Sequence, residues 1–132
     1  MEGLVTCDRA PIERWVDGRV CLLGDAAHPT PQYFAQGACM ALEDAVCLGE
    51  TLASERGDIE RGLELYRGTR LLRTTRIQLG SRLLGDHVYH ADGPHAMLRN
   101  DHMQKMTVES FCEKLSWLYE AATSSTSPRK AA

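Results

Sequence analysis

No apolar run in this chain is long enough to span a bilayer, so a helical membrane anchor within it is excluded. The first residues carry neither a basic region nor an apolar signal segment, and no leader is expected. Five cysteines (Cys7, Cys21, Cys39, Cys47 and Cys112) form no Cys-x-x-Cys pair. An odd count without close spacing argues against a disulfide framework or a zinc site and fits reduced thiols in the cytoplasm. Three nucleotide or hydrolase signatures are also missing: Gly-x-Ser-x-Gly, the Walker loop and the Gly-x-Gly-x-x-Gly turn. There is no internal repeat. There is no excess of positive charge either; the net charge is −3, which speaks against a general nucleic-acid partner. What remains is 132 residues of ordinary globular composition, enough for one sizeable core.

The informative stretch is residues 19–45, which reads as strand, carboxylate, loop and helix. Residues 20–23 (Val-Cys-Leu-Leu) are an unbroken apolar run, the pattern of a strand buried on both faces. Asp17-Gly18 before it predicts a tight turn. Gly24 and Asp25 end the run. Pro29 and Pro31 keep residues 28–36 out of regular helix and central strand. Gly37 then opens a small-residue helix to about residue 53, where Ala41, Ala45 and Gly49 form a line suited to close approach of another backbone. An Asp at a strand's C-terminal end, beside a helix N-terminus, is a ligand-binding layout of open α/β sheets. The Asp can accept from sugar-like hydroxyls, and the N–H groups of Ala38, Cys39 and Met40 can donate to an anionic or carbonyl oxygen. One strand with at most a short partner makes no stable sheet, so the run at residues 20–23 calls for neighbours the chain does not supply.

Beyond this, the pattern is helical. Asp58 is an expected N-cap for a helix over about residues 59–84. Its apolar face would hold Ile59, Leu63, Tyr66, Leu72, Leu79 and Leu83. Gly62, Gly68 and Gly80 each lower helix propensity by about 1 kcal/mol, so a kink or break is expected there. Arg67, Arg70, Arg73 and Arg76 step by three and drift around the axis; a solvated face or carboxylate pairing with further polypeptide is the better reading. Residues 85–94 read as a loop, Pro94 as the start of a short helix to about residue 99, and Thr107 as the cap of a last helix to about residue 121. His87, His90, Asp92, His95 and His102 lack a clean ligand spacing and read as a surface cluster, with no metal expected. The tail from residue 123 is Ser/Thr/Pro/basic and expected to be disordered.

Gly24-Asp25-Ala26-Ala27-His28-Pro29, followed by Gln36-Gly37-Ala38 and Glu43-Asp44-Ala45, resembles the second FAD-binding motif of the single-component flavoprotein aromatic hydroxylases. Within that family the Pro29-to-Met40 stretch is most similar to the 3-hydroxybenzoate 6-hydroxylase branch and, next, the salicylate hydroxylase branch. The resemblance implies that Gly24 and Asp25 contact FAD, with Asp25 bonding a ribityl hydroxyl. It implies that Gly37, Ala38, Cys39 and Met40 present the helix N-terminus to the flavin pyrimidine edge, where its partial positive charge favours negative charge. Pro31 and Gln32 would sit where a substrate ring meets the flavin, with Gln32 orienting a phenolic hydroxyl. Tyr33 and Phe34 would wall an aromatic pocket. His28 is expected to be structural, bonding the loop backbone. Many relatives carry Asn at the position of Cys39; Cys is a poorer hydrogen-bond partner, so weaker side-chain help to the flavin is expected there while the backbone N–H is unaffected.

The implied whole is an enzyme that hydroxylates a phenolic or aromatic acid with FAD, NADH or NADPH, and dioxygen. The expected fold is mostly α with a short β element: the C-terminal part of a Rossmann-like FAD-binding fold plus C-terminal helices. Residues 1–54 would belong to the FAD-binding domain, 55–122 to a helical region and 123–132 to the tail. With the Gly-rich turn missing, the chain is expected to be inactive alone, to pair with an N-terminal FAD-binding half, and to self-associate through exposed apolar surface. A non-catalytic helical interaction module, half of a split flavoprotein, and an inactive truncation are the alternatives.

Overall fold

A computed structural model describes residues 8–119. Cys7 and the tail expected from residue 123 lie outside the described residues. β1 (Val16–Asp17) pairs antiparallel with β2 (Val20–Cys21), Val16 facing Cys21 and Asp17 facing Val20. Gly18 and Arg19 close the turn between them. Gly18 has φ +57°, a conformation glycine adopts without steric cost. The hairpin corrects the expectation of a strand buried on both faces. Val20 is 69% exposed, and nothing among the described residues pairs with the open edge of β2.

Four helices follow: α1 (Gly37–Ser54), α2 (Ile59–Leu84), α3 (Gly93–Gln104) and α4 (Val108–Tyr119). The expected caps are present. Arg61 N–H donates to Asp58 Oδ1 at 3.1 Å, and Ser110 N–H donates to Thr107 Oγ1 at 3.2 Å. α2 is unbroken through its glycines and runs into a π turn (Gly85–Tyr89), and α3 already begins at Gly93, so most of the expected loop at residues 85–94 is helical. α3 is also longer than expected. No described helix is long and apolar enough to cross a membrane.

The glycines of α2 serve packing. At Gly62 a Cβ would lie 3.2 Å from Leu52 Cα, so the close approach of α1 and α2 is made here. The line of Ala41, Ala45 and Gly49 does not make it: Gly49 has nothing within 4 Å, and Ala41 meets the Gly24 turn instead. At Gly80 a Cβ would lie 2.8 Å from the Phe34 ring, and at Gly85 2.4 Å from the Tyr33 ring. Two cores result. Trp15, Val16, Ala27, Cys47, Leu63 and Tyr66 gather at one end; Met40, Ile77 and Leu118 gather at the other, beside Phe34 and Trp117.

The face of α2 between these cores differs from the expected apolar one. Leu72, Leu79 and Leu83 are exposed, whereas Arg70, Thr74, Gln78 and Ser81 are buried. Arg70 Nε donates to Asp44 Oδ1 at 2.7 Å, and both side chains are sealed from solvent. Asp44 Oδ2 accepts from His28 Nε2 at 2.6 Å and from Gly24 N–H at 3.1 Å. Glu43 accepts from Arg70 and Arg73, and Arg73 also donates to the Trp117 and Leu118 carbonyls at the end of α4. Burial alone pushes the Asp44 carboxyl up, but hydrogen bonds and charge from His28 and Arg70 outweigh it and hold the group below its ordinary value. The same competition, with Arg73 and Arg70 prevailing, lowers Glu43.

Removing one partner of a buried ion pair strands the other charge, at a cost of about 3–5 kcal/mol. Arg70→Met is expected to lose stability on that scale in urea denaturation at neutral pH. Because the folded Asp44 pKa lies below the unfolded value of about 3.9, its contribution is complete above that value. It falls away as pH drops through the folded pKa. Stability measured between pH 6 and 2.5 should therefore fall more steeply in the wild type than in Asp44→Asn. Gly80→Ala should lower stability by about 1–3 kcal/mol through overpacking against Phe34. Gly68→Ala, with open space at the added Cβ, should raise it by about 0.5–1 kcal/mol.

Candidate functional site

The carboxylate of the motif stands on a turn fixed from three directions. Gly24–Ala26 is a single 3-10 turn, with Gly24 at φ +56°. The Gly24 carbonyl accepts from Ala27 N–H and His28 N–H at 2.9 Å each, and the Gly24 N–H is held by Asp44. The Arg9 guanidinium donates to the Ala26 carbonyl and, at 2.9 Å, to the Ala27 carbonyl. A Cβ on Gly24 would sit 3.4 Å from Ala41 Cβ, so the turn lies directly on the second turn of α1. Asp25 is left exposed and makes no ion pair among the described residues. His28 is structural but bonds the Asp44 carboxylate with its ring rather than the loop backbone; among the described residues its Nδ1 has no hydrogen-bond partner.

α1 begins without a side-chain cap. Gln36 occupies the N-cap with a helical backbone and no capping hydrogen bond. The helix leaves its first N–H groups without intrahelical acceptors. Of the three amides expected to face a ligand, Met40's is already engaged, donating to the Gln36 carbonyl at 2.8 Å. Its side chain is fully buried against Ile77 and Leu118, so Met40 is a core residue rather than a contact residue. Gly37, Ala38 and Cys39 supply the open amides, and the side chains of Ala38 and Cys39 are small and exposed.

Between turn and helix, the Gln32–Phe34 segment forms a second 3-10 turn. Gln32 is exposed and Pro31 half-buried. A polar cavity of about 360 Å³ is lined by Asp8, Pro31, Gln32, Tyr33, Arg82 and Asp86. Phe34 does not line it, contrary to the expected aromatic wall. Its ring turns inward onto Gly80 and meets Trp117 edge-on, centroids 5.9 Å apart. Tyr33 borders the cavity while packing on Gly85 and Tyr89, with its hydroxyl 2.5 Å from His90 Nε2. His87 and His95 meet edge to face beside a separate apolar cavity between the π turn, α3 and α4, away from Asp25.

The four arginines occupy four environments. Arg67 pairs with Glu64, Arg70 with Asp44, Arg73 with Glu43, and Arg76 lies 3.8 Å over the Trp117 ring. Carboxylate pairing was the right chemistry, but the partners lie within this chain. The buried polar residues Gln78 and Ser81 escape sequence reasoning altogether, because no periodicity marks them.

The donors and acceptors suit a flavin. An exposed carboxylate can accept from polyol hydroxyls, and uncapped helix amides beside it can face a carbonyl oxygen that gains negative charge. The side chains at positions 37–39 are small, and Ala38 and Cys39 are exposed, so a planar group would meet little side-chain bulk there.

Residues 5–80 match the family model described as FAD binding domain. Over 114 residues, 86% of its length, the chain is 53% identical to a 3-hydroxybenzoate 6-hydroxylase of Polaromonas naphthalenivorans (strain CJ2), covering 28% of that protein. It is 50% identical over 119 residues, 90% of its length, to 3-hydroxybenzoate 6-hydroxylase 1 of Aquipseudomonas alcaligenes, covering 30% of it. A 3-amino-4-hydroxybenzoate 2-monooxygenase of Streptomyces cremeus is 38% identical over 112 residues, 85% of the chain and 28% of that protein. The chain thus spans about three-tenths of the length of these relatives. With the family model covering more than half of its residues, and with the Gly24-Asp25 turn seated against the second turn of α1, the chain belongs to the FAD binding domain family.

Proposed function

We propose that this chain supplies the ribityl- and pyrimidine-facing part of the FAD site in a monooxygenase that hydroxylates a phenolic acid of the 3-hydroxybenzoate type. The observation that carries the reading is the exposed Asp25 on a rigid turn beside an uncapped helix N-terminus. In this reading Asp25 accepts a hydrogen bond from a ribityl hydroxyl. The N–H groups of Gly37, Ala38 and Cys39 donate toward the pyrimidine oxygen and stabilise negative charge there. When bound, FAD supplies the means for NADH or NADPH to reduce dioxygen so that one oxygen atom reaches the ring. Gln32, with a donor and an acceptor on one amide, orients the phenolic hydroxyl at the edge of the cavity it shares with Pro31 and Tyr33.

The same reading makes the chain the C-terminal portion of a Rossmann-like FAD-binding unit followed by helices. One face of α1 supports it. Leu42 is 70% and Val46 62% exposed, one helical turn apart on α1. Apolar side chains at that spacing need a partner layer. A chain bearing the absent Gly-rich turn would provide it, whether covalently continuous or separately encoded.

Two measurements test this. The purified chain should show no NADH oxidation stimulated by 3-hydroxybenzoate, and turnover by the chain alone would overturn the division of labour. Supplied in trans with the N-terminal FAD-binding part of a related 3-hydroxybenzoate 6-hydroxylase, it should bind FAD saturably by flavin fluorescence. Asp25→Ala should weaken that binding about tenfold, roughly 1.4 kcal/mol, while the distant exposed control Glu60→Ala leaves it unchanged. Equal affinity in wild type and Asp25→Ala would remove Asp25 from the site.

A further inference from the structure

The loop carrying Pro31 and Gln32 lies against α2. Within residues 29–36, Ala35 N–H donates to the Gln32 carbonyl at 2.9 Å, and Thr30 Oγ1 donates to the Pro31 carbonyl at 3.4 Å. Two further hydrogen bonds come from one face of α2. Gln78 Nε2 donates to the Pro29 carbonyl at 2.8 Å, and Ser81 Oγ donates to the Pro31 carbonyl at 2.6 Å. Two residues further along the loop, the Tyr33 ring fills the space where Gly85 has no side chain. Gln78 and Ser81 are 1% and 0% exposed.

These three contacts share a register. Loop positions 29, 31 and 33 meet helix positions 78, 81 and 85, one loop dipeptide for each turn of α2. Pro31 has φ −58° and ψ 151°, the polyproline II conformation. The chain then enters the 3-10 turn Gln32–Phe34, so the two carbonyl contacts and the fit of Tyr33 on Gly85, not a shared repeat, set the register. One residue lies between Pro31 and Tyr33. That residue is Gln32, and it is exposed at the polar cavity.

We infer that Gln78 and Ser81 are positioning residues: they set the register of the loop on α2 and thereby aim Gln32. The inference rests on the functional reading above only for what Gln32 then contacts. Without the two carbonyl contacts nothing from Gln78 or Ser81 would hold Pro29 and Pro31 in place, so those contacts decide how Gln32 is presented to the substrate. Neither residue touches the cavity itself.

Amide hydrogen exchange by NMR on the full chain, with no ligand added, tests the register directly. In Ser81→Ala the Ala35 amide should exchange about fivefold faster, with the change confined to residues 30–36 and amides in the middle of α1, such as Leu48, unaffected. Ser81→Thr keeps the hydroxyl and should restore Ala35 protection. Gln78→Met, of similar length but without a donor, should repeat the loop-confined effect and serves if Ser81→Ala fails to fold. An Ala35 amide unprotected in the wild type, unchanged in both donor-less variants, or accelerated to the same extent as all of α1 would overturn the inference. Because no flavin enters the experiment, a failed FAD titration would strike the functional reading and leave the loop register standing.

Discussion

A carboxylate with no access to water must be surrounded by donors, and Asp44 is where this structure meets that demand. Arg70, His28 and the Gly24 amide converge on its two oxygens. Arg70 comes from α2, while Gly24 and His28 bracket the turn that carries Asp25, so satisfying one charge ties all three to α1. Arg70 sets α2 against α1, His28 sets the start of the loop, and the Gly24 amide sets the turn that displays Asp25. In a low-dielectric interior these bonds are strong, and the penalty for leaving one unmade is large. The turn is therefore rigid for reasons that lie behind it rather than at the surface it presents.

The second organising feature is the length of α2. An unbroken helix of 26 residues reaches from the Trp15 core to the π turn. Its inner face changes chemistry along the way: apolar at Leu63 and Tyr66, ionic at Arg70, hydrogen-bonding at Thr74, Gln78 and Ser81, and glycine-notched at positions 80 and 85. An irregular loop with two prolines cannot satisfy its own carbonyls, so a buried neighbour has to. This explains a polar helix face in the interior that would otherwise be unfavourable. Arg73 extends the same logic to α4, whose last carbonyls it covers while pairing with Glu43.

Much of the site was legible because its elements are local. The Pro29 and Pro31 pair announced an irregular loop, Gly37 the helix start, Asp58 and Thr107 their caps, and the fixed spacing from Gly24 to Ala45 the cofactor class. Met40 and Phe34 were misplaced because their neighbours are distant in sequence: Ile77 and Leu118 for one, Gly80 and Trp117 for the other. The expected apolar face of α2 failed for the same reason. Leu72, Leu79 and Leu83 have suitable hydrophobicity, but the surface facing α1 and the loop is lined with carbonyls and a carboxylate, so polar side chains occupy it.

The sequence by itself determined the helices, their caps, the turn at Asp25 and membership of a flavin-binding family, because these depend on residues within a few positions of one another. Only the tertiary structure decided which arginine reaches Asp44. Steps of three residues rotate about 60° around the helix, so Arg67, Arg70, Arg73 and Arg76 are equivalent in the sequence and become different only once α1, α4 and the loop surround them. It also decided which side chains hold the loop and which face outward. Those assignments depend on loop carbonyls meeting donors on a helix some fifty positions away, and no local pattern encodes that pairing.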